Sequence, residues 1–293
     1  MARMTDTYRL ADRDVHRIGY GAMQLPGPGV MGPPRDHDGA LRVLRRAVEL
    51  GVNHIDTAQY YGIGVSNGLI REALHPYPDD LAIVSKVGAR RDAGGGWIAA
   101  QHPAQLREDV EENLRVLGVE RLTAVNLRRM DEHADPADAV PFEDQLAEMV
   151  ALREEGKIAG VGVSTVSAEQ VETAIRLADI ACVQNAFSLV DRGDADVLAR
   201  CTAVGVAYVP YFPLGSAFPH LPKVTEQPQV QAVAARHGVP ASRVGLAWVL
   251  SRAENVLLIP GTSSVDHLED NLAAGDLTLS AQDLDELAGV RAG

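Results

Sequence analysis

The sequence predicts an α/β fold of the (β/α)8 TIM-barrel type, and three observations lead there. Eight short β-like runs recur along the chain, and amphipathic helical stretches alternate with them. Several runs are continuously apolar, as strands covered on both faces tend to be. The alternation offers no boundary at which to cut a second domain, so residues 1–293 are expected to form a single barrel domain.

In chain order the runs are "RIGYGAM" (17–23), "HIDTA" (54–58), "AIVSKV" (82–87), "TAVNLR" (123–128), "AGVGVS" (159–164), "CVQNAF" (182–187), "AYVPYF" (207–212) and "VLLIPG" (256–261). After the first, residues 38–51 set Leu41, Leu44, Ala47 and Val48 on one helical face with the arginines elsewhere. Residues 103–118 repeat the pattern with Leu106, Val110, Leu114 and Leu117, and Gly118 stands where a C-cap is expected. Residues 141–157 and 241–253 read the same way. Three Pro- and Gly-rich loops, 25–36, 88–102 and 214–228, follow the first, third and seventh runs, at the end where barrels carry their active sites. Loops of this length in a compact domain are more often lids or binding loops than plain connections.

An excess of 40 acidic over 27 basic residues, net −13, argues against nucleic acid or an anionic membrane as partner, although a local site can still oppose the global charge. No run reaches the roughly 20 apolar residues of a membrane span, and the opening "MARMTDTYRLADRD" lacks a signal-peptide core. Cys182 and Cys201 stand far apart, outside any metal or disulfide motif. The expectation is a cytoplasmic protein that acts on a small molecule, without a metal. Oligomeric state is not readable.

Polar residues gather at the ends of the runs. Asp56 ends the second, with Tyr60 and Tyr61 beyond it; Lys86 nears the end of the third; Arg128 ends the fourth and Ser164 the fifth. Gln184 and Asn185 lie in the sixth and Tyr211 in the seventh. In a barrel these ends converge on one mouth. A lysine inside an apolar strand is costly unless paired, and Asp56 is the available partner. The pair alone is as readily structural as catalytic, and a tyrosine before glycine is commonly packing. Together they form a chemical device: an ammonium near a phenol lowers its pKa toward that of a useful general acid for a carbonyl oxygen, while the carboxylate keeps the lysine charged.

The order "DTAQYYG" (56–62), "SKVG" (85–88), "LRVLGVERL" (114–122), "GVGVST" (160–165), "VQNAF" (183–187), "YFPLG" (211–215) and "IPGTSSVDHLEDN" (259–271) resembles the aldo-keto reductases over nearly the whole chain. The resemblance implies a barrel that binds a nicotinamide cofactor across its mouth, with no Rossmann domain. It implies Asp56, Tyr61 and Lys86 as catalytic residues, Tyr61 being the acid and Tyr60 a pocket neighbour. Arg128 stands where the family usually has histidine. Arginine cannot switch protonation at working pH, but it can stabilise a developing oxyanion.

The resemblance also implies the cofactor contacts. Ser164 and Gln184 match residues that hold the nicotinamide carboxamide, with Asp56 beside them and Thr165 where Asn is common. Tyr211 matches the ring that stacks on the nicotinamide. Phe212, Pro213, Leu214, Gly215 and Ser216 match the pyrophosphate loop, and Gly261, Thr262, Ser263, His267, Asp270 and Asn271 match the adenosine end; Met23 lies at the mouth. NADPH is the cofactor implied. NADH stays open, because Gly261 and His267 replace Lys and Arg of the better-known branch.

Tyr60, Trp97 and Arg128 are the candidate substrate-pocket residues, Met23 and Phe218 further possibilities, and the end at "VRAG" suggests an open mouth. The segments 19–36, "NLRRM" and "YVPYFPLG" look most like a bacterial branch associated with pyridoxal reductase activity, which implies reduction of pyridoxal to pyridoxine. A broad carbonyl or sugar-intermediate reductase and an NADPH-binding redox-sensing subunit with slow turnover are the competing expectations.

Overall fold

The computed structural model describes residues 6–92, 94–131, 139–215 and 222–291. An N-terminal antiparallel hairpin, β1 (Thr7–Leu10) and β2 (Arg13–His16), precedes β3 (Tyr20–Gly21), β4 (His54–Asp56) and β5 (Ala82–Val87). A second antiparallel hairpin follows, β6 (Ala89–Arg91) and β7 (Trp97–Ala99), and then β8 (Leu122–Arg128), β9 (Ile158–Ser164), β10 (Cys182–Gln184) and β11 (Ala207–Tyr208). One parallel sheet orders these as β3-β4-β5-β8-β9-β10-β11, which are the first seven predicted runs.

The eighth run closes the circle without a ladder of its own. Single parallel bridges join Ile18 to Leu258 and Tyr208 to Val256. The Leu258 amide donates to the Arg17 carbonyl at 2.8 Å, and the Leu257 amide to the Tyr208 carbonyl at 2.9 Å. At this seam the backbones nearly touch: a Cβ on Gly21 would lie 2.4 Å from the Ile259 carbonyl oxygen, so only glycine fits there.

Helices α1 (His37–Glu49), α2 (Val65–Leu74), α3 (Pro103–Leu117), α4 (Phe142–Glu154), α5 (Ala168–Ala178), α6 (Ala195–Val204), α7 (Pro228–His237), α8 (Ala241–Leu250), α9 (Val265–Leu272) and α10 (Ala281–Ala288) surround the sheet. The main apolar core lies between helices and strands. Gly118 caps α3 at φ 71 as expected. The buried face of α3 holds Leu106, Val110 and Leu117 with Asn113, while Leu114 is only half-buried, so the predicted stripe is rotated toward a polar member. The segment 88–102, expected as a long loop, instead folds back on itself as the hairpin β6–β7.

Period-two alternation sorts the inner face into layers. Toward one end lie Ala82, Val84, Ala124, Cys182, Ala207 and Leu257, covered by Leu10 and Val15 of the N-terminal hairpin. Two residues further along β5 and β10 stand Lys86 and Gln184, with Asp56 at the end of β4, toward the other end. The fold therefore plugs one end of the barrel and leaves Lys86, Gln184 and Asp56 at the other.

Candidate active site

Asp56, at the end of β4, is bracketed. Lys86 Nζ donates to its Oδ1, and Gln184 Nε2 donates to its Oδ2 at 2.8 Å. Lys86 also donates to the Thr57 carbonyl at 3.0 Å, and all three side chains are buried. The loop after β4 is held from behind by a buried polar chain: Thr57 Oγ1 donates to Asn67 Oδ1 at 2.8 Å, Asn67 Nδ2 to Gln59 Oε1 at 2.7 Å and to Asn113 Oδ1 at 2.9 Å, and Ser85 Oγ to the same Asn113 oxygen at 2.6 Å. This chain sets where the two tyrosines stand. Tyr61 lines a cleft of about 310 Å3 together with Asp56 and Gln184. Tyr60 packs its ring on Tyr61 (5.3 Å between centroids) and on Trp97 (5.1 Å), behind the cleft wall.

The electrostatics differ from the expected scheme. Burial, and then the Asp56 carboxylate, push the Tyr61 phenol well above the ordinary tyrosine range, and the cations that oppose this are Arg128 and Arg91. Lys86 Nζ lies 5.0 Å from the Tyr61 ring centroid, but its charge is engaged by Asp56. An ion pair presents the phenol with nearly cancelling charges, whereas a guanidinium without a carboxylate does not cancel. Burial pushes the Tyr60 phenol up to about 12, with Arg128 drawing it down. Burial works to lower the Arg128 pKa, but Tyr60, Tyr61 and Tyr211 raise it overall. The Arg128–Tyr60 coupling falls short of an aligned hydrogen bond, and Tyr60 Oη and Arg128 Nε are both buried without one.

Opposite Tyr61 the cleft wall consists of Tyr211, Phe212, Pro213, Leu214 and Gly215, and its far side of Met23, Gly261 and Asn271. Ser164 is buried at the end of β9, its hydroxyl 3.4 Å from that of Thr165. Thr165 holds φ at 58, a left-handed conformation uncommon for a β-branched residue and better suited to asparagine. Other predicted contacts stand apart from the cleft. Thr262 is buried and accepts from the Tyr20 hydroxyl through its carbonyl at 2.6 Å; Ser263 lines a neighbouring cavity beside Arg35. His267 is exposed in the first turn of α9, and Asp270 is engaged by Arg243 at 2.6 Å. Ser216 and Phe218 lie outside the described residues. The cleft also holds Gln24, Lys223 and Thr225, which sequence reasoning missed. The chain has three lysines and uses arginine almost everywhere else, and that rarity was the available signal for Lys223.

The aldo/keto reductase family model matches residues 17–292. The chain belongs to that family. Among its curated relatives is pyridoxine 4-dehydrogenase of Escherichia coli K12, 46% identical over 98% of each chain. An uncharacterized oxidoreductase of Schizosaccharomyces pombe is 37% identical over 96% of this chain and 88% of its own. Among solved structures, an aldo-keto reductase from Klebsiella pneumoniae in complex with NADP and acetate superposes with a TM-score of 0.80 at 27% identity, covering 96% of this chain and 94% of that one. These aldo-keto reductase neighbours have the (β/α)8 fold that the seam between residues 17–21 and 256–259 completes here.

Proposed function

We propose that the protein is an NADPH-dependent aldehyde reductase whose substrate is pyridoxal and whose product is pyridoxine. The relative named pyridoxine 4-dehydrogenase supports the substrate pair, and the Klebsiella pneumoniae complex supports the cofactor. The residues present fit a nicotinamide. Gln184 uses Nε2 on Asp56 and leaves Oε1 buried without a partner in the cleft wall, an acceptor for a carboxamide NH2. Lys223 and Asn271 line the same cleft, where phosphates and adenosine would lie.

Bound there, the cofactor supplies a hydride to the carbonyl carbon. Tyr61, in the cleft wall, gives the proton to the carbonyl oxygen. Asp56 and Lys86 hold each other and the base of the site, while Arg128 stabilises the phenol once it has lost that proton. Arg128 also explains the substrate: pyridoxal carries a phenolate beside its aldehyde, and a guanidinium next to the catalytic phenol pairs with it.

The observation that carries this reading is Tyr61 in the cleft wall with Asp56 and Gln184. Its test is NADPH oxidation, followed by near-ultraviolet absorbance, with pyridoxal beside neutral aliphatic and aromatic aldehydes. The expected outcome is selective pyridoxal turnover that falls by about 10²–10⁴-fold in Tyr61→Phe. Tight NADPH binding with no turnover of any carbonyl would overturn the reading in favour of a cofactor-sensing protein.

A further inference from the structure

The hairpin β6–β7 brings a second cation, Arg91, beside Arg128. The Arg91 guanidinium carbon lies 3.4 Å from the Trp97 ring centroid, and that of Arg128 lies 5.1 Å from the same centroid. Two like charges thus share one indole. Among the described residues neither has a carboxylate hydrogen bond: Arg91 Nη1 donates to the Gly95 carbonyl at 2.9 Å, and the Nε of each guanidinium is buried without an acceptor. Burial, and then Arg128, lower the Arg91 pKa, with Tyr60, Asp92 and Tyr61 opposing. Asp92, the nearest acid in sequence, spends one oxygen on the Gly94 and Gly96 amides at 2.8 Å each.

The hairpin is built to stand here. Gly88 turns the chain out of β5 at φ 98, where a Cβ would lie 2.5 Å from the Arg128 carbonyl oxygen. The Ala100 amide returns to the Gly88 carbonyl at 3.1 Å, and Gln101 Nε2 donates to the Arg128 carbonyl at 3.0 Å. Both hairpin stems are therefore tied to the residue that carries the first cation. Arginines with buried guanidinium nitrogens and no carboxylate hydrogen bond are costly unless an anion joins them, and this chain is strongly acidic overall.

We propose that Arg91 and Arg128, stacked on Trp97, form a two-guanidinium anion site that selects carbonyl substrates bearing an oxyanion close to the reacting carbon. The ligand class is an aromatic aldehyde with an ortho phenolate, carboxylate or comparable anionic oxygen. Arg91 is the specificity-determining residue, acting on ground-state binding. The inference rests on the reductase reading for its kinetic test, but not for its binding test.

The kinetic test compares 2-carboxybenzaldehyde with its neutral methyl ester, in wild type, Arg91→Gln and Arg91→Lys with saturating NADPH. The expected result is that Arg91→Gln loses kcat/KM for the carboxylate at least tenfold more than for the ester, chiefly through KM, and that Arg91→Lys recovers part of the difference. Equal losses on both substrates would mean a structural hairpin and overturn the proposal. The binding test needs no turnover. Salicylate and neutral salicylamide are titrated into the protein saturated with NADP, with tryptophan fluorescence reporting through Trp97, one of two tryptophans. Salicylate binding that exceeds salicylamide binding and weakens at least tenfold in Arg91→Gln supports the site even if every aldehyde proves inert, an outcome that would sink only the reductase reading. Indifference to the ligand's charge overturns the site whatever the turnover.

Discussion

His54 sits two residues before Asp56 on the inner face of β4, buried, with Nδ1 unpartnered. Burial pushes its imidazole down to about 4, with Asp56 opposing and Lys86 adding to the shift. The folded chain therefore refuses a proton that the unfolded chain accepts near pH 6.5. Stability is unaffected above that value and falls as pH drops from about 6.5 toward 4, by up to ~3 kcal/mol. Urea midpoints at pH 7.5 and pH 5 should show the loss, and a His54→Gln protein should show a smaller one; an equal loss in both would assign the acid sensitivity elsewhere. At this scale the sequence was readable where chemistry is unusual. A lysine inside "AIVSKV" announces a partner, and Asp56 is that partner. What it did not disclose was sign: whether the phenol is pulled down or pushed up depends on how completely Lys86 is engaged and how deeply Tyr61 is buried, and neither is a property of spacing.

At the scale of elements, the loop after β4 owes its shape to side chains on α2 and α3. Asn113 accepts from both Asn67 and Ser85 and donates to the Asp109 carbonyl at 2.7 Å. An Asn113→Ala protein leaves the buried Ser85 hydroxyl and one Asn67 amide hydrogen without an acceptor, at a cost of about 2–3 kcal/mol. It should also lower kcat more than it changes KM for NADPH, since Tyr61 moves while the far wall of the cleft does not; thermal melts and steady-state kinetics check both. An unchanged kcat would separate the network from the placement of Tyr61. A helical stripe of Leu106, Val110, Leu114 and Leu117 hides this function, because Asn113 reads as an interruption. The two hairpins were illegible for a related reason. β1 and β2 each bury one large apolar side chain, Leu10 and Val15, and β6–β7 turns on Gly94, Gly95 and Gly96, so neither shows the periodicity by which strands are recognised.

Over the whole molecule, the eightfold alternation was legible because each barrel strand is announced by an apolar run and followed by a helix. The closing strand was legible as a run but not as a join made of single bridges, Ile18 to Leu258 and Tyr208 to Val256. That join has a consequence for ligand binding. The cleft is lined by Gly21 from the first strand, by Ile259, Pro260 and Gly261 from the eighth, and by Tyr211 to Gly215 after the seventh. A molecule seated there is gripped from both margins of the sheet and acts as a clasp across the opening. Occupancy then raises the melting temperature of the entire barrel, by the equivalent of about 2.7 kcal/mol at a concentration one hundred times Kd. Melting curves with NADPH and NADH at matched concentrations should rank the two cofactors without any carbonyl present, NADPH giving the larger shift; equal shifts would mean the site does not read the adenosine phosphate. The barrel's least-secured edge thereby becomes its cofactor gauge.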